Sequence, residues 1–172
     1  MPPDKLLLNY LIFLLSTCQS SGTSFEEGRG KVSISPKEGE DVYFFALDND
    51  NGREALRMVE ETICDGLIFF GHDGRKSRRY LEKICLVELK GGNIEHGIKQ
   101  ILNTYTHFWK LLLCSPCQHK AKEIIKMAYI YQRGSAPKQT KHLYDLRKQL
   151  QDIFGNKYKI TRESDLGPFL RK

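Results

Sequence analysis

Cys64-Asp65-Gly66-Leu67-Ile68-Phe69-Phe70 and Ile84-Cys85-Leu86-Val87-Glu88-Leu89-Lys90-Gly91-Gly92 are the two stretches on which the reading of this chain turns. Each is an apolar run of strand length that carries one acidic residue. Alternation along a strand puts Glu88 and Lys90 on one face and Leu89 on the other. A carboxylate inside an apolar run is costly to ionise unless it is paired or binds a cation. Two such acids beside a lysine, held on rigid strands, are what metal-assisted phosphodiester hydrolysis needs. Asp65 and Glu88 would hold magnesium or manganese, and the Leu89 carbonyl would add a third oxygen. Lys90 would orient the hydrolytic water or offset charge on a phosphate. Gly91-Gly92 would let a nucleic-acid backbone come close. The plainer alternative is a buried acid–lysine ion pair within a sheet.

The surroundings fit strands. The almost continuous apolar run over 63–70 predicts a strand covered on both faces. Its partner is predicted over 80–90, across the basic loop Gly71-His72-Asp73-Gly74-Arg75-Lys76-Ser77-Arg78-Arg79. Arg75, Lys76, Arg78 and Arg79 are candidate contacts to a phosphate backbone; His72, Asp73 and the glycines are explained by the turn alone. Asn93 is the expected N-cap of a helix over 94–113. Ile94, Ile98, Ile101, Leu102, Tyr105, Phe108, Trp109 and Leu112 make its broad apolar face. His96, Gln100, Thr104 and His107 form a separate polar stripe, and His96 and His107 are candidates to touch substrate.

Further strands are expected over 31–35, 42–46, 122–132 and 157–162, and helices over 53–62 and 139–154. The stretch 20–30, rich in Gly and Ser, reads as a linker. Tyr129 and Tyr131 share one face of their strand, suited to core packing or to base stacking. The order of elements predicts an α/β fold, a central mixed β-sheet flanked by helices.

The 172 residues fit one domain over 23–172, preceded by an apolar segment over 1–22. That segment, Leu6-Leu7-Leu8-Asn9-Tyr10-Leu11-Ile12-Phe13-Leu14-Leu15 after Lys5, is too short to span a bilayer comfortably. It reads as a core helix or as a signal-like segment. The net charge of +6 is unevenly placed. The first 132 residues balance, whereas 133–172 hold ten basic and four acidic residues. A basic flank beside an acidic site suits a polyanion. The cysteines number five; Cys64 and Cys85 sit in apolar strands as small hydrophobes, which points to a reducing, cytoplasmic compartment, with export as the alternative if the leading segment is a signal. Cys114-Ser-Pro-Cys117, with His119, is half of a zinc pattern at best.

The stretch 64–105 resembles the core of the PD-(D/E)xK nuclease superfamily, the restriction-endonuclease-like fold. Asp65 matches its strand-borne acid, Glu88-Leu89-Lys90 its acid-x-Lys element, and Gln100 the helical glutamine found in many members. Cys64 stands where the family name puts proline. The resemblance implies a magnesium- or manganese-dependent endonuclease acting on nucleic acid, DNA more than RNA. In it Asp65 and Glu88 ligate the metal, Lys90 positions the water and Gln100 orients Lys90 or a phosphate. Many members add a glutamate from a preceding helix, for which Glu60 and Glu61 are the candidates. The rival expectation is a catalytically inactive nucleic-acid-binding or protein-interaction module on the same fold. A homodimer would decide between nicking and double-strand cleavage.

Overall fold

Gly66–Asp73 (β4) and Tyr80–Lys90 (β5) pair antiparallel, in a register that sets Gly66 opposite Val87 and Asp73 opposite Tyr80. They are the centre of the structure, a computed structural model that describes residues 5–74 and 79–172. Arg75, Lys76 and Arg78, expected at phosphates, lie outside the described residues. Glu40–Ala46 (β3) pairs antiparallel with the other edge of β4. Beyond β5 the chain crosses over through the helix Ile94–Leu113 (α3) and returns as Ile125–Gln132 (β6), parallel to β5. The helix Lys141–Phe154 (α4) then leads to Tyr158–Thr161 (β7), parallel to β6. The result is a mixed five-stranded sheet in the order β3-β4-β5-β6-β7, the α/β class that the sequence suggested.

Two apolar layers enclose the sheet. On one face Leu67, Phe69, Ile84, Leu86, Ala128 and Ile130 meet Ile98, Ile101, Phe108 and Leu112 of α3 and Leu143, Leu146 and Leu150 of α4. The same layer takes in the N-terminal helix Leu6–Leu14 (α1) through Leu7, Leu8 and Leu11, with Leu15 just past its end. Of the two readings of this segment, the geometry is that of a helix packed into the core. No helix among the described residues is long and apolar enough to cross a membrane. On the opposite face Ile68, Phe70, Cys85, Val87, Met127 and Tyr129 are covered by two small pieces. One is the hairpin Ser24–Glu27 (β1) and Gly30–Ser33 (β2). The other is the C-terminal turn of helix Gly167–Leu170 (α5). Lys83, buried on this face, donates from Nζ to the Leu170 carbonyl at 2.7 Å and so ties α5 down.

Several expected boundaries move. The helix expected over 53–62 is the short Asp50–Ala55 (α2), capped by Asn49, whose Oδ1 accepts from Gly52 N at 2.9 Å. It stops because Arg57 takes φ +56°, the left-handed conformation that ends helices. Leu56 and Ile63 are buried as their spacing suggested, but Val59 is 71% exposed. The linker expected over 20–30 contains strand β1, because Phe25 anchors it to the sheet against Phe44, ring centroids 4.7 Å apart. The strand expected over 31–35 is β2 and pairs with β1, not β3. The strand over 122–132 begins only at Ile125, after a 3-10 turn at Lys120–Lys122. The helix over 94–113 and its Asn93 cap stand as read, with Asn93 Oδ1 accepting from His96 N at 3.0 Å.

Leu11 of α1 is fully buried in the larger layer. Leu11→Ala is therefore expected to lower the unfolding free energy by about 2–5 kcal/mol, the cost of a buried cavity. Urea denaturation measures it; a loss below about 0.5 kcal/mol would show that α1 does not belong to the core.

Candidate active site

Continuing the β4–β5 register by one residue brings Asp65 opposite Glu88. The two acids are locked together through backbone amides. Asp65 N donates to Glu88 Oε2 at 3.2 Å, and Leu89 N donates to Asp65 Oδ2 at 2.5 Å. The Asp65 carbonyl in turn accepts from Leu47 N at 2.8 Å. Each carboxylate thus orients the strand that carries the other. In a strand the N–H and C=O of one residue turn to the same edge, so the Leu89 carbonyl also faces the Asp65 side.

Glu88 is 0% exposed. Its Oε1 lies 2.7 Å from Lys90 Nζ, a close ion pair. Space for the pair comes from α3. A Cβ on Gly97 would stand 2.9 Å from Lys90 Cγ and 3.3 Å from Glu88 Cγ, so a side chain there would push the pair aside. The Lys90 side chain is 19% exposed, its ammonium at the boundary between the buried acids and solvent.

Burial raises the carboxyl pKa values. For Glu88 desolvation pushes the group up to about 7, opposed by Lys90 and by the Asp65 amide. Asp65 also rises well above the usual carboxylate range, first through burial and then through the Glu88 charge and a hydrogen bond with Glu27. The ammonium of Lys90 is held in its charged form by Glu88, Asp65 and Glu27, which outweigh its burial.

Glu27 is the acid that sequence reading missed. The expected third glutamate was Glu60 or Glu61 from a preceding helix, but those residues are in exposed, non-helical chain, and the Glu61 carboxylate pairs with His107 Nε2. Glu27 comes instead from the end of β1, inside the stretch taken as a linker. The signal available was Phe25-Glu26-Glu27-Gly28-Arg29-Gly30, an apolar anchor running into a Gly-x-Gly turn. Gly28 at φ +56° supplies the first turn position of a two-residue hairpin.

Gln100 is buried, and its Nε2 donates to the Ile63 carbonyl at 2.8 Å, not to Lys90. Thr104 Oγ1 accepts from Cys64 N at 2.9 Å and donates to the Gln100 carbonyl at 2.7 Å. The polar stripe of α3 therefore holds the chain leading into Asp65, and Gln100 acts on the acid's strand. Its Oε1 is buried without a hydrogen-bond partner. His96 is exposed in the first turn of α3, at the Lys90 end of the sheet. Arg79 is exposed at the other end of the β4–β5 hairpin. Eight residues of β5, 80–87 at about 3.3 Å each, separate it from Glu88. Cys114 is exposed while Cys117 is buried, its Sγ donating to the Leu6 carbonyl at 3.6 Å, an arrangement unlike a zinc pair.

Among the described residues, no group of three or more His, Cys, Asp or Glu side chains is gathered as a metal cage. The donor set is leaner: two carboxylates, Glu88 buried and Asp65 half-buried, and a carbonyl on the same edge. Magnesium takes one or two carboxylates and keeps several waters, so these residues fit it. Comparison with family models, with curated proteins and with solved structures gave no match.

Two expected outcomes follow from this geometry. The native carboxyls hold protons that the unfolded chain, with ordinary carboxylate pKa values, has already released. Stability should therefore fall as pH rises from about 4.5 through about 7. Urea denaturation in EDTA should show a steeper decline for the wild type than for Asp65→Asn/Glu88→Gln; identical slopes would mean that the pair ionises as if in water. Separately, Gly97→Ala gains helix propensity of up to about 1 kcal/mol yet displaces Lys90. It should leave the melting temperature within a few degrees while shifting the Lys90 side-chain ammonium signals in NMR spectra. Unchanged signals would show that the gap at Gly97 is not needed.

Proposed function

We propose that the chain is a divalent-metal-dependent phosphodiesterase acting on nucleic acid, DNA in preference to RNA. The observation that carries this reading is the cross-strand acid pair with Lys90 Nζ at 2.7 Å from Glu88 Oε1, set at one end of a rigid sheet. The order of strands is compatible with it: β3, β4 and β5 lie side by side antiparallel, and a crossover through α3 leads to β6, parallel to β5. On the resemblance to the PD-(D/E)xK pattern, Asp65, Glu88 and Leu89 would be the metal ligands and Lys90 the lysine.

In this mechanism Asp65, Glu88 and the Leu89 carbonyl would hold magnesium or manganese, which would supply Lewis-acid chemistry to the phosphate. Lys90 does the work between the acids and solvent. In the metal-free protein its ammonium offsets the charge of Glu88. Its position between the acids and solvent suits that ammonium to stabilise negative charge growing on a phosphate oxygen or to orient the attacking water. The surrounding apolar layers keep the dielectric low, where each of these interactions is stronger than in water. Gln100 and Thr104 hold the Ile63–Cys64 backbone and so fix the approach of Asp65, a positioning role.

The test is cleavage of plasmid and of single-stranded circular DNA with magnesium, in wild type, Glu88→Ala and Lys90→Ala. Each variant is expected to lose at least 100-fold in rate, and EDTA to abolish turnover. Wild-type activity in both variants would remove the assignment. A protein that binds DNA equally with and without magnesium, and never nicks it, would instead support a non-catalytic binding module on this fold.

A further inference from the structure

An open cleft of about 530 Å³ lies between the tip of the β1–β2 hairpin and the C-terminal ends of β5 and β6. Its wall carries Glu27, Arg29, Lys90, Gly91, Tyr131 and Arg133. Lys90, on this wall, pairs with Glu88 at 2.7 Å, so the cleft borders the acid pair through that lysine. Arg29, Tyr131 and Arg133 have no part in the chemistry described above. Arg29 is exposed at the hairpin tip, and its guanidinium has no hydrogen-bond or ion-pair partner among the described residues. Arg133 is exposed across from it and is aimed by one hydrogen bond, Nη1 to the Arg29 carbonyl at 3.2 Å. That leaves most of its donors free. Tyr131 is half-buried between them, and a Cβ on Gly30 would lie 3.5 Å from its ring, so the hairpin backbone supports the ring.

We infer that this cleft is a binding channel for one unpaired polynucleotide strand, with Arg29 and Arg133 holding backbone phosphates and Tyr131 stacking a base. The inference rests on the phosphodiesterase reading for the direction of the strand toward Asp65, and it adds the substrate class. Cationic groove walls combined with an aromatic platform are the features that bind single strands. The volume falls in the range of about 300–1,000 Å³ that encloses ligands of nucleotide size. Burial of the acids argues for the same class. Glu88 is sealed from solvent, so a phosphate must be fed inward past Lys90. A duplex, stiff over about 150 base pairs, does not bend into such a gap, whereas a frayed end, flap or single strand does.

The experiment is fluorescence anisotropy in EDTA with a labelled twelve-nucleotide oligothymidylate and a blunt hairpin duplex, using the full chain. The single strand is expected to bind at least tenfold tighter than the duplex. Arg29→Ala and Arg133→Ala should each weaken it about fivefold and reduce the salt slope by about 0.7, the value for one single-strand phosphate contact. Tyr131→Ala should weaken it about tenfold, with Tyr131→Phe restoring wild-type affinity. All three positions of change are at the surface or rim, and melting temperatures within a few degrees of wild type verify folding. Equal affinity for the duplex, or unchanged affinity and salt slope in both arginine variants, overturns the channel. Because cleavage plays no part in EDTA, the two readings separate. Binding through these residues with no cutting in magnesium supports the channel and removes the enzyme. Glu88-dependent cutting with arginine-independent binding does the reverse.

Discussion

Everything at this site depends on a mutual restraint between Asp65 and Glu88. Neither acid is placed by its own strand alone. The backbone amide of Asp65 holds Glu88, and the amide beyond Glu88 holds Asp65. Such bonds to ionised groups are among the stronger ones in proteins, and here they join strands whose register is already fixed by apolar packing on both faces. The burial that makes the pair rigid also makes its charges expensive. Lys90 offsets part of that expense, and the raised pKa values of both acids record what remains. A pair whose ionised form is costly in its own fold, but geometrically held, is suited to a cation. Buried ion pairs are often retained at a cost to stability, and the cost here falls where ligand binding would relieve it.

The surrounding structure serves that restraint from three directions. Helix α3 passes over Glu88 and Lys90 at Gly97, then reaches back with Gln100 and Thr104 to the backbone that precedes Asp65. One helix therefore touches both acid-bearing strands. The β1–β2 hairpin comes from the opposite face, where Phe25 and Val32 seat it in the second apolar layer. Its turn projects beyond the sheet, which is how Glu27 arrives beside Asp65. The segment Leu47, at the end of β3, closes the third side by donating to the Asp65 carbonyl.

How far the sequence disclosed this follows from the range of each signal. The β5 strand and α3 were readable to their ends, because a long apolar run and a 3.6-residue pattern with an Asn cap are local properties. Asp65, Glu88 and Lys90 stood out because charge inside such a run breaks its own pattern. Glu27 was hidden for the converse reason. An acid among Ser, Gly and Glu breaks no pattern, and its closeness to Asp65 is created by Phe25 packing on the sheet, a contact remote in sequence. The helix expected over 53–62 failed similarly: Leu56, Val59 and Ile63 have helical spacing, yet the chain leaves the helix at Arg57 and buries only two of them. For Gln100 the residue type was legible but not its partner. A glutamine can reach either way from a helix, and only the fold shows it bonded to Ile63.

The placement of charge sharpens the chemical reading beyond the net value. The excess of cations in 133–172 suggested a basic flank, but α4, which carries Lys141, Arg147 and Lys148, packs on the α3 side through its leucines and leaves its cations spread along a helix. What matters is where the strands end. Arg133 follows directly after β6, and its amide donates to the Lys90 carbonyl at 2.9 Å, so the start of the basic region is stitched to the end of the acid-bearing strand. Arg162 follows directly after β7 and donates to the Gly134 carbonyl at 2.8 Å, steadying the same turn. Parallel strands put their C-terminal ends at one edge, and that edge is where the acids lie. The sheet thus presents negative charge in its interior and positive charge at its rim. An anion meets cations first and carboxylates last, so a polyanion would be drawn to the rim but repelled from the floor until a metal ion neutralises it. On the proposed function, binding at the rim and reaction at the floor would be separable steps with different ionic requirements.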